Sequence, residues 1–198
     1  MTVVSGAARG ARHNLVIVGP AGSGKGTQAA FLKRSLGVEH LATGDMLREE
    51  RARGTELGQR VVSYLDAGKL VPDDVIVAMI RQRLEETPAG AGFVLDGFPR
   101  TVAQARSLQE MLADLGRPLD LVIVLEVPTD DLVARLARRA VLEKRGDDTP
   151  SAIAERLRLY HEQTEPVLDY LGQTVPTVRL DGTRSIEQTN QLLLEAIG

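Results

Sequence analysis

The run Gly19-Pro20-Ala21-Gly22-Ser23-Gly24-Lys25 places three glycines ahead of one lysine. Glycine lacks a Cβ, so backbone N–H groups in such a run can turn inward around an anion, and a helix starting at its end adds positive potential. Lys25 then supplies a point charge for the β- and γ-phosphates of a nucleoside triphosphate, and the implied chemistry is phosphate binding with phosphoryl transfer. The usual motif places Ser or Thr directly after the lysine to hold magnesium. Here Gly26 follows, and the hydroxyl comes one residue later at Thr27. Magnesium would therefore rely more on phosphates, water and a carboxylate elsewhere. Asp96 is the candidate, because it ends the apolar run Gly92-Phe93-Val94-Leu95. A carboxylate at the carboxyl end of a parallel strand can reach such an ion directly or through water.

A second cluster is cationic. Between Leu132 and Arg158 stand seven basic residues (Arg135, Arg138, Arg139, Lys144, Arg145, Arg156, Arg158) and four acidic ones (Glu143, Asp147, Asp148, Glu155), a local net of +3. The whole chain carries 24 basic and 27 acidic residues, a formal net charge of −3, which gives no general reason to expect nucleic acid or a membrane as partner. Arg135 and Arg139 are four apart and share a face if this segment is helical. Arg138 and Arg158 read as ordinary residues of a solvated face.

These groups need a scaffold, and 198 residues with 43% hydrophobic content suffice for one globular domain. Short apolar runs read as buried strands: Asn14 to Val18, a possible second at Val38 to Leu41, Gly92 to Leu95, Leu119 to Val127, and Pro176 to Leu180. Helical patterns fall between and around them at Lys25 to Leu36, Val75 to Leu84, Val102 to Leu115, Leu132 to Leu142, Ile153 to Leu171 and Ile186 to Ile197. Strands alternating with helices imply an α/β fold, a doubly wound parallel sheet of about five strands. Two stretches interrupt the alternation. The chain from 42 to 92 is longer than one crossover needs, with turn signals at Gly54, Gly58 and Gly68, and part of it should form a separate helical flap. The segment Glu143 to Pro150 breaks one helical pattern and starts another, with Thr149 suited to an N-cap and Pro150 to the first turn.

Several classes are excluded or disfavoured. With no cysteine there is no disulfide, thiolate nucleophile or cysteine-bound metal. His13, His40 and His161 lack ligand spacing and read as ordinary residues. No stretch approaches the ~20 apolar residues of a membrane-spanning helix. Residues 1–13 read as a flexible N-terminal tail rather than an export signal, and the expected location is the cytoplasm.

Four segments then carry a resemblance: Gly22-Ser23-Gly24-Lys25-Gly26-Thr27, Thr43-Gly44-Asp45-Met46-Leu47-Arg48, Asp66-Ala67-Gly68-Lys69-Leu70-Val71 and Asp96-Gly97-Phe98-Pro99-Arg100-Thr101. In order and spacing they resemble the adenylate kinases, over residues from about 14 to the C-terminus. The resemblance implies a P-loop kinase domain at 14–198, with a flap for the nucleoside monophosphate at 42–71 and a short lid at about 138–148. It implies reversible, magnesium-dependent transfer of the ATP γ-phosphoryl group to AMP, giving two ADP. ATP would meet Gly22, Ser23, Gly24, Lys25, Gly26, Thr27, Arg135, Arg139 and Arg184. AMP would meet Thr43, Arg48, Lys69, Leu70, Val71, Gly97, Phe98, Pro99, Arg100, Gln104, Arg145 and Arg156. Catalysis would rest on Lys25, Arg100, Arg135, Arg139, Arg145 and Arg156, with magnesium held through water at Asp96 and Thr27. Asp147 and Asp148 match an acidic pair that positions arginines near the lid. Without the cysteines of the zinc-bearing long lid, no zinc is expected. ATP, AMP and ADP are the expected partners, and the chain is expected to act as a monomer. Two competitors remain: a UMP/CMP kinase, disfavoured by Thr43 and Gln104, and a nucleotide switch that transfers nothing. The guanine-reading Asn-Lys-x-Asp signature of one switch class is absent, since the only asparagines are Asn14 and Asn190.

Overall fold

Alternation within the strands sets the architecture. In β1 (Asn14–Val18) Leu15 and Ile17 pack into one hydrophobic cluster while Val16 and Val18 enter another, and all four are essentially inaccessible. A strand buried on both faces belongs inside a sheet covered on both sides. The computed structural model describes residues 13–88, 90–143 and 147–198. Its sheet has the order β2-β3-β1-β4-β5, every pairing parallel, with β2 (Glu39–Ala42), β3 (Phe93–Asp96), β4 (Leu121–Glu126) and β5 (Thr177–Asp181).

One face is covered by α1 (Lys25–Leu36), through Ala29 and Leu32, and by α9 (Ile186–Ile197), through Leu193. The other carries α2 (Thr43–Arg53), α3 (Glu56–Asp66), α4 (Asp73–Glu86), α5 (Val102–Asp114) and α8 (Glu165–Leu171) in a larger cluster built on Val16, Phe93, Leu95 and Val122. A third, small cluster joins α6 (Thr129–Leu142) to α7 (Pro150–Leu159) through Leu132, Leu136, Ile153 and Leu157, with Ala21 of the glycine-rich turn packed against it. The strand order reverses around β1, and the crevice at the carboxyl ends of such strands is where ligands lie in open α/β sheets. The glycine-rich turn follows β1, and Asp96 ends β3 beside it.

The expected strands and helices are present with shifted ends. Strand β2 lies one residue later than Val38 to Leu41, and β4 is shorter than Leu119 to Val127. Helices α4 and α6 begin two and three residues earlier than their apolar patterns, because Asp73 and Asp74, or Thr129, Asp130 and Asp131, form polar first turns. Acidic groups there complement the helix dipole without contributing to an apolar stripe. The run Ile153 to Leu171 is not one helix. A π-helical turn at Tyr160–Thr164 separates α7 from α8. Pro166 has no N–H to continue the ladder, which forces the hydrogen bonding to rearrange there. Thr149 does cap α7, its hydroxyl accepting from the Ala152 N–H. Of the expected tail only His13 is described.

Candidate active site

The turn after β1 is shaped by a helix that crosses it. Gly22 has φ +85°, and a Cβ there would lie 3.0 Å from Leu136 Cγ and 3.2 Å from the Leu132 carbonyl of α6. Neither the conformation nor the space suits another residue. At the start of α1, the Lys25 ammonium curls back to donate to the carbonyls of Gly19 and Pro20, each at 2.8 Å. Burial pushes this lysine from an ordinary 10.5 down to about 8; Asp96 opposes that shift, while Arg100 and Arg139 add to it.

Asp96 lies between two cationic groups. Burial pushes its carboxyl up, but a hydrogen bond from His40 and the charges of Lys25, His40 and Arg100 outweigh this and hold it below the usual carboxylate range. His40 Nε2 is 3.4 Å from Asp96 Oδ2. The same oxygen would be 3.5 Å from a Cβ on Gly26, so the carboxylate faces the first turn of α1.

Beyond Asp96 the chain bends through Gly97 and a cis Phe98–Pro99 peptide. Gly97 has φ +80°, and a Cβ on it would strike the Thr43 hydroxyl at 2.7 Å and Arg100 Nη2 at 2.9 Å. Arg100 is tied on every side: Nε donates to the Gly97 carbonyl (2.7 Å), its N–H donates to Gln104 Oε1 (2.7 Å), and its carbonyl accepts from the Thr164 hydroxyl (3.1 Å). Burial lowers its pKa, as do the neighbouring charges of Arg156 and Arg48, while Asp96 raises it. Three guanidinium groups converging in this way leave a site that favours an anion.

The acidic pair Asp147 and Asp148 holds three arginines from three helices. Arg139 of α6 grips Asp148 through Nε (2.7 Å) and Nη2 (2.8 Å), and Arg156 of α7 donates to both Asp148 and Asp147, the latter at 2.7 Å. Arg48 of α2 has Nη1 at 3.8 Å from Asp147. Arg156 also reaches the Leu65 carbonyl at the end of α3. Burial pushes the Asp148 carboxyl up, yet the Arg139 and Arg156 contacts prevail and keep it low. Arg135 donates to the Gly182 carbonyl at 2.9 Å and so joins α6 to the loop after β5.

Lys25, His40, Asp96, Arg100, Arg135 and the three arginines held by Asp147 and Asp148 line one cleft of about 930 Å³. The family model described as Adenylate kinase matches residues 17–175. The adenylate kinase of Stenotrophomonas maltophilia (strain R551-3) is 46% identical over 183 residues, 92% of this chain and 98% of its own length. That of Xylella fastidiosa (strain 9a5c) is 45% identical over 184 residues, with 93% and 98% covered. That of Streptomyces avermitilis is 40% identical over 211 aligned residues, with 92% and 96% covered.

The chain belongs to the adenylate kinase family. The known activity of adenylate kinases is the transfer of a phosphoryl group between ATP and AMP, and the chain is an enzyme of that kinase type, with the α/β fold and five-stranded parallel sheet expected of it. Every nucleotide-contacting residue expected from the adenylate kinase motifs lines the cleft, apart from Arg145, which lies outside the described residues. Thr43 lines the cleft, its hydroxyl placed to donate to the carbonyl of Gly97 (3.0 Å) or Asp96 (3.3 Å). Arg184 stands at the opposite end, 3.6 Å from Asp181. Arg138 is exposed, as expected of a solvated face, and also borders the cleft, while Arg158 pairs on the surface with Glu155 and Glu162. Sequence reasoning passed over His40, Asp73 and Thr164. Each acquires its partner only through tertiary contact; Pro166, which marks the π turn bearing Thr164, was the one available signal. Among the described residues no helix is long and apolar enough to cross a membrane.

Proposed function

We propose that ATP occupies the side of the cleft formed by Gly22 to Thr27, Arg135, Arg139 and Arg184, with AMP on the side formed by Thr43, Arg48, Lys69 to Val71, Gly97 to Arg100, Gln104 and Arg156. The observation that carries this reading is one cleft that gathers two sets of cations, Lys25 with Arg139 and Arg100 with Arg48 and Arg156, together with one half-buried carboxylate, Asp96. Two polyanions brought together need such an arrangement. The AMP phosphate is itself an anionic nucleophile, so transfer needs alignment and charge neutralisation rather than a strong general base. An AMP phosphate oxygen attacks the γ-phosphorus as the bond to the ADP oxygen breaks. Lys25 and the arginines neutralise the charge on the transferring group.

The residues present fit magnesium carried with ATP. Among the described residues no three His, Asp or Glu side chains converge on a metal site. An ionised Asp96 facing α1, with the exposed Thr27 hydroxyl nearby in the chain, suits an ion that takes its remaining ligands from phosphates and water. Held there, magnesium would supply positive charge to offset that of the transferring phosphates.

Helices α2 and α3 would act as the AMP flap (42–71) and the stretch 138–148 as a short lid, closing to exclude water that would otherwise accept the phosphoryl group. The Streptomyces avermitilis alignment supports the short form: it spans more positions while covering the same 92% of this chain, so that relative carries extra residues within the matched span. The reading includes a cytoplasmic monomer. Its test is a steady-state comparison of AMP, CMP, UMP and GMP as acceptors with MgATP; AMP should be strongly preferred, and preference for another base would overturn it. Arg100→Ala should raise the AMP KM far more than the ATP KM, with a loss of about 2–5 kcal/mol in transition-state stabilisation. Unchanged AMP kinetics would remove Arg100 from the clamp.

A further inference from the structure

Gln104 lies on the first turn of α5, is 2% exposed and lines the cleft. Its amide is held at both ends. Nε2 donates to Asp73 Oδ1 at 2.7 Å, and Oε1 accepts the Arg100 N–H at 2.7 Å. Asp73 is fixed in turn: its Oδ2 accepts from the Thr101 hydroxyl at 2.9 Å, and that hydroxyl caps α5 by accepting the Gln104 N–H at 3.1 Å. A glutamine amide can normally turn over and exchange its oxygen and nitrogen. Here it faces an acceptor-only carboxylate on one side and a donor-only peptide N–H on the other, so the reversed amide would oppose oxygen to oxygen and hydrogen to hydrogen.

We infer that Asp73 is a positioning residue for base selection: its carboxylate locks the Gln104 amide in the orientation that reads adenine and rejects 6-oxopurines. The inference rests on the proposed reading of Gln104 as the group that meets the AMP base. With one N–H given to Asp73 and one lone pair filled by Arg100, Gln104 has one donor and one acceptor left. Adenine presents the complement, an N6–H donor beside the N1 acceptor. Hypoxanthine and guanine present the reverse, an O6 acceptor beside an N1–H donor. An amide free to turn would serve both classes of purine, whereas a locked one serves only adenine among them. Asp73 belongs to α4 and Gln104 to α5, so the contact also fixes base selectivity across two helices that pack together.

The test uses IMP, which differs from AMP only in the exchanged groups at positions 6 and 1. The readout is the ratio of kcat/KM for AMP to that for IMP at saturating MgATP. Asp73→Ala should lower this ratio about tenfold, the worth of one buried hydrogen bond, while the ATP KM stays near its original value. Asp73→Asn keeps an acceptor oxygen but adds a donor, so its ratio should fall between those of Asp73→Ala and the unsubstituted enzyme. Should Asp73→Ala not fold, Asp73→Asn decides the matter through the same ratio. Gln104→Leu should also lower the ratio, and adding Asp73→Ala to Gln104→Leu should change it no further. An unchanged ratio in the folded Asp73 variants, with the ratio lowered by Gln104→Leu, overturns the role of Asp73 and leaves the reading of Gln104 standing. An unchanged ratio in Gln104→Leu overturns both. Additive effects in the double variant would mean that Asp73 acts by a route other than Gln104.

Discussion

A lysine that loses its charge near pH 8 is poorly placed to wait for a phosphate, unless the phosphate itself restores the charge. Burial lowers Lys25 to about 8, aided by Arg100 and Arg139 and opposed by Asp96. A bound polyphosphate favours the charged form and must raise that value. Well below pH 8 the free lysine is mostly protonated, so binding takes up little; as pH rises through 8, binding must bring a growing fraction of a proton with it. At pH 8.5 MgATP binding should take up on the order of three-quarters of a proton per site. Calorimetry in two buffers of different ionisation enthalpy measures it, and Lys25→Met should abolish the uptake. Equal heats in the two buffers would mean that the free lysine is fully charged. At this scale the sequence was informative wherever residue type and spacing fall within one segment, as for Gly22 to Thr27 or Asp96 to Arg100. His40 was not legible because its partner is 56 residues away and becomes a neighbour only once β2 lies beside β3.

The elements carry a second set of constraints, centred on the junction of α6 and α7. Arg139 and Arg156 are long side chains with many rotamers, and the Asp148 carboxylate, its side chain fully buried, orders both. Asp148→Ala would leave two cations facing each other without their shared counter-charge. The expected loss is about 1–3 kcal/mol, below the value for a fully buried pair because both guanidinium groups border an open cleft. The pH dependence follows from the lowered carboxyl. Its contribution is complete above the ordinary Asp value of about 4 and disappears as pH falls through the lower folded value. Thermal melting from pH 7 to pH 3 should therefore show the gap between wild type and Asp148→Ala narrowing only at the acid end; a gap that closes by pH 6 would contradict the assignment. Apolar periodicity located these helices but misplaced the start of α6, since a polar first turn leaves no apolar trace, whereas Thr149 and Pro150 marked the start of α7; it ran through the π turn because buried residues continue on both sides of it. Asp147 and Asp148 were legible as a pair, though their partners required the fold.

For the molecule as a whole, two charge descriptions compete. The net charge is −3, which would repel nucleotides at long range, yet the cleft gathers Lys25, Arg48, Arg100, Arg135, Arg139 and Arg156 around a few carboxylates. Which of them governs capture depends on distance relative to screening. The Debye length is about 10 Å at 0.1 M salt and about 30 Å at 0.01 M. At low salt a nucleotide feels the whole molecule as it approaches, whereas at physiological salt it feels only the walls it is about to touch. The parallel sheet makes the local field dominant, because its strand order places the carboxyl ends of β1 and β3 together and directs the cationic side chains of several helices into one crevice. Raising KCl from 20 to 200 mM should accordingly lower kcat/KM for both ATP and AMP, about threefold each, while kcat changes little because the cations already contact phosphate in the bound state. Stopped-flow or steady-state measurements at fixed free magnesium separate the two parameters. If kcat/KM instead rose with salt, the overall negative charge would be governing the encounter and the cationic cleft would act only after contact.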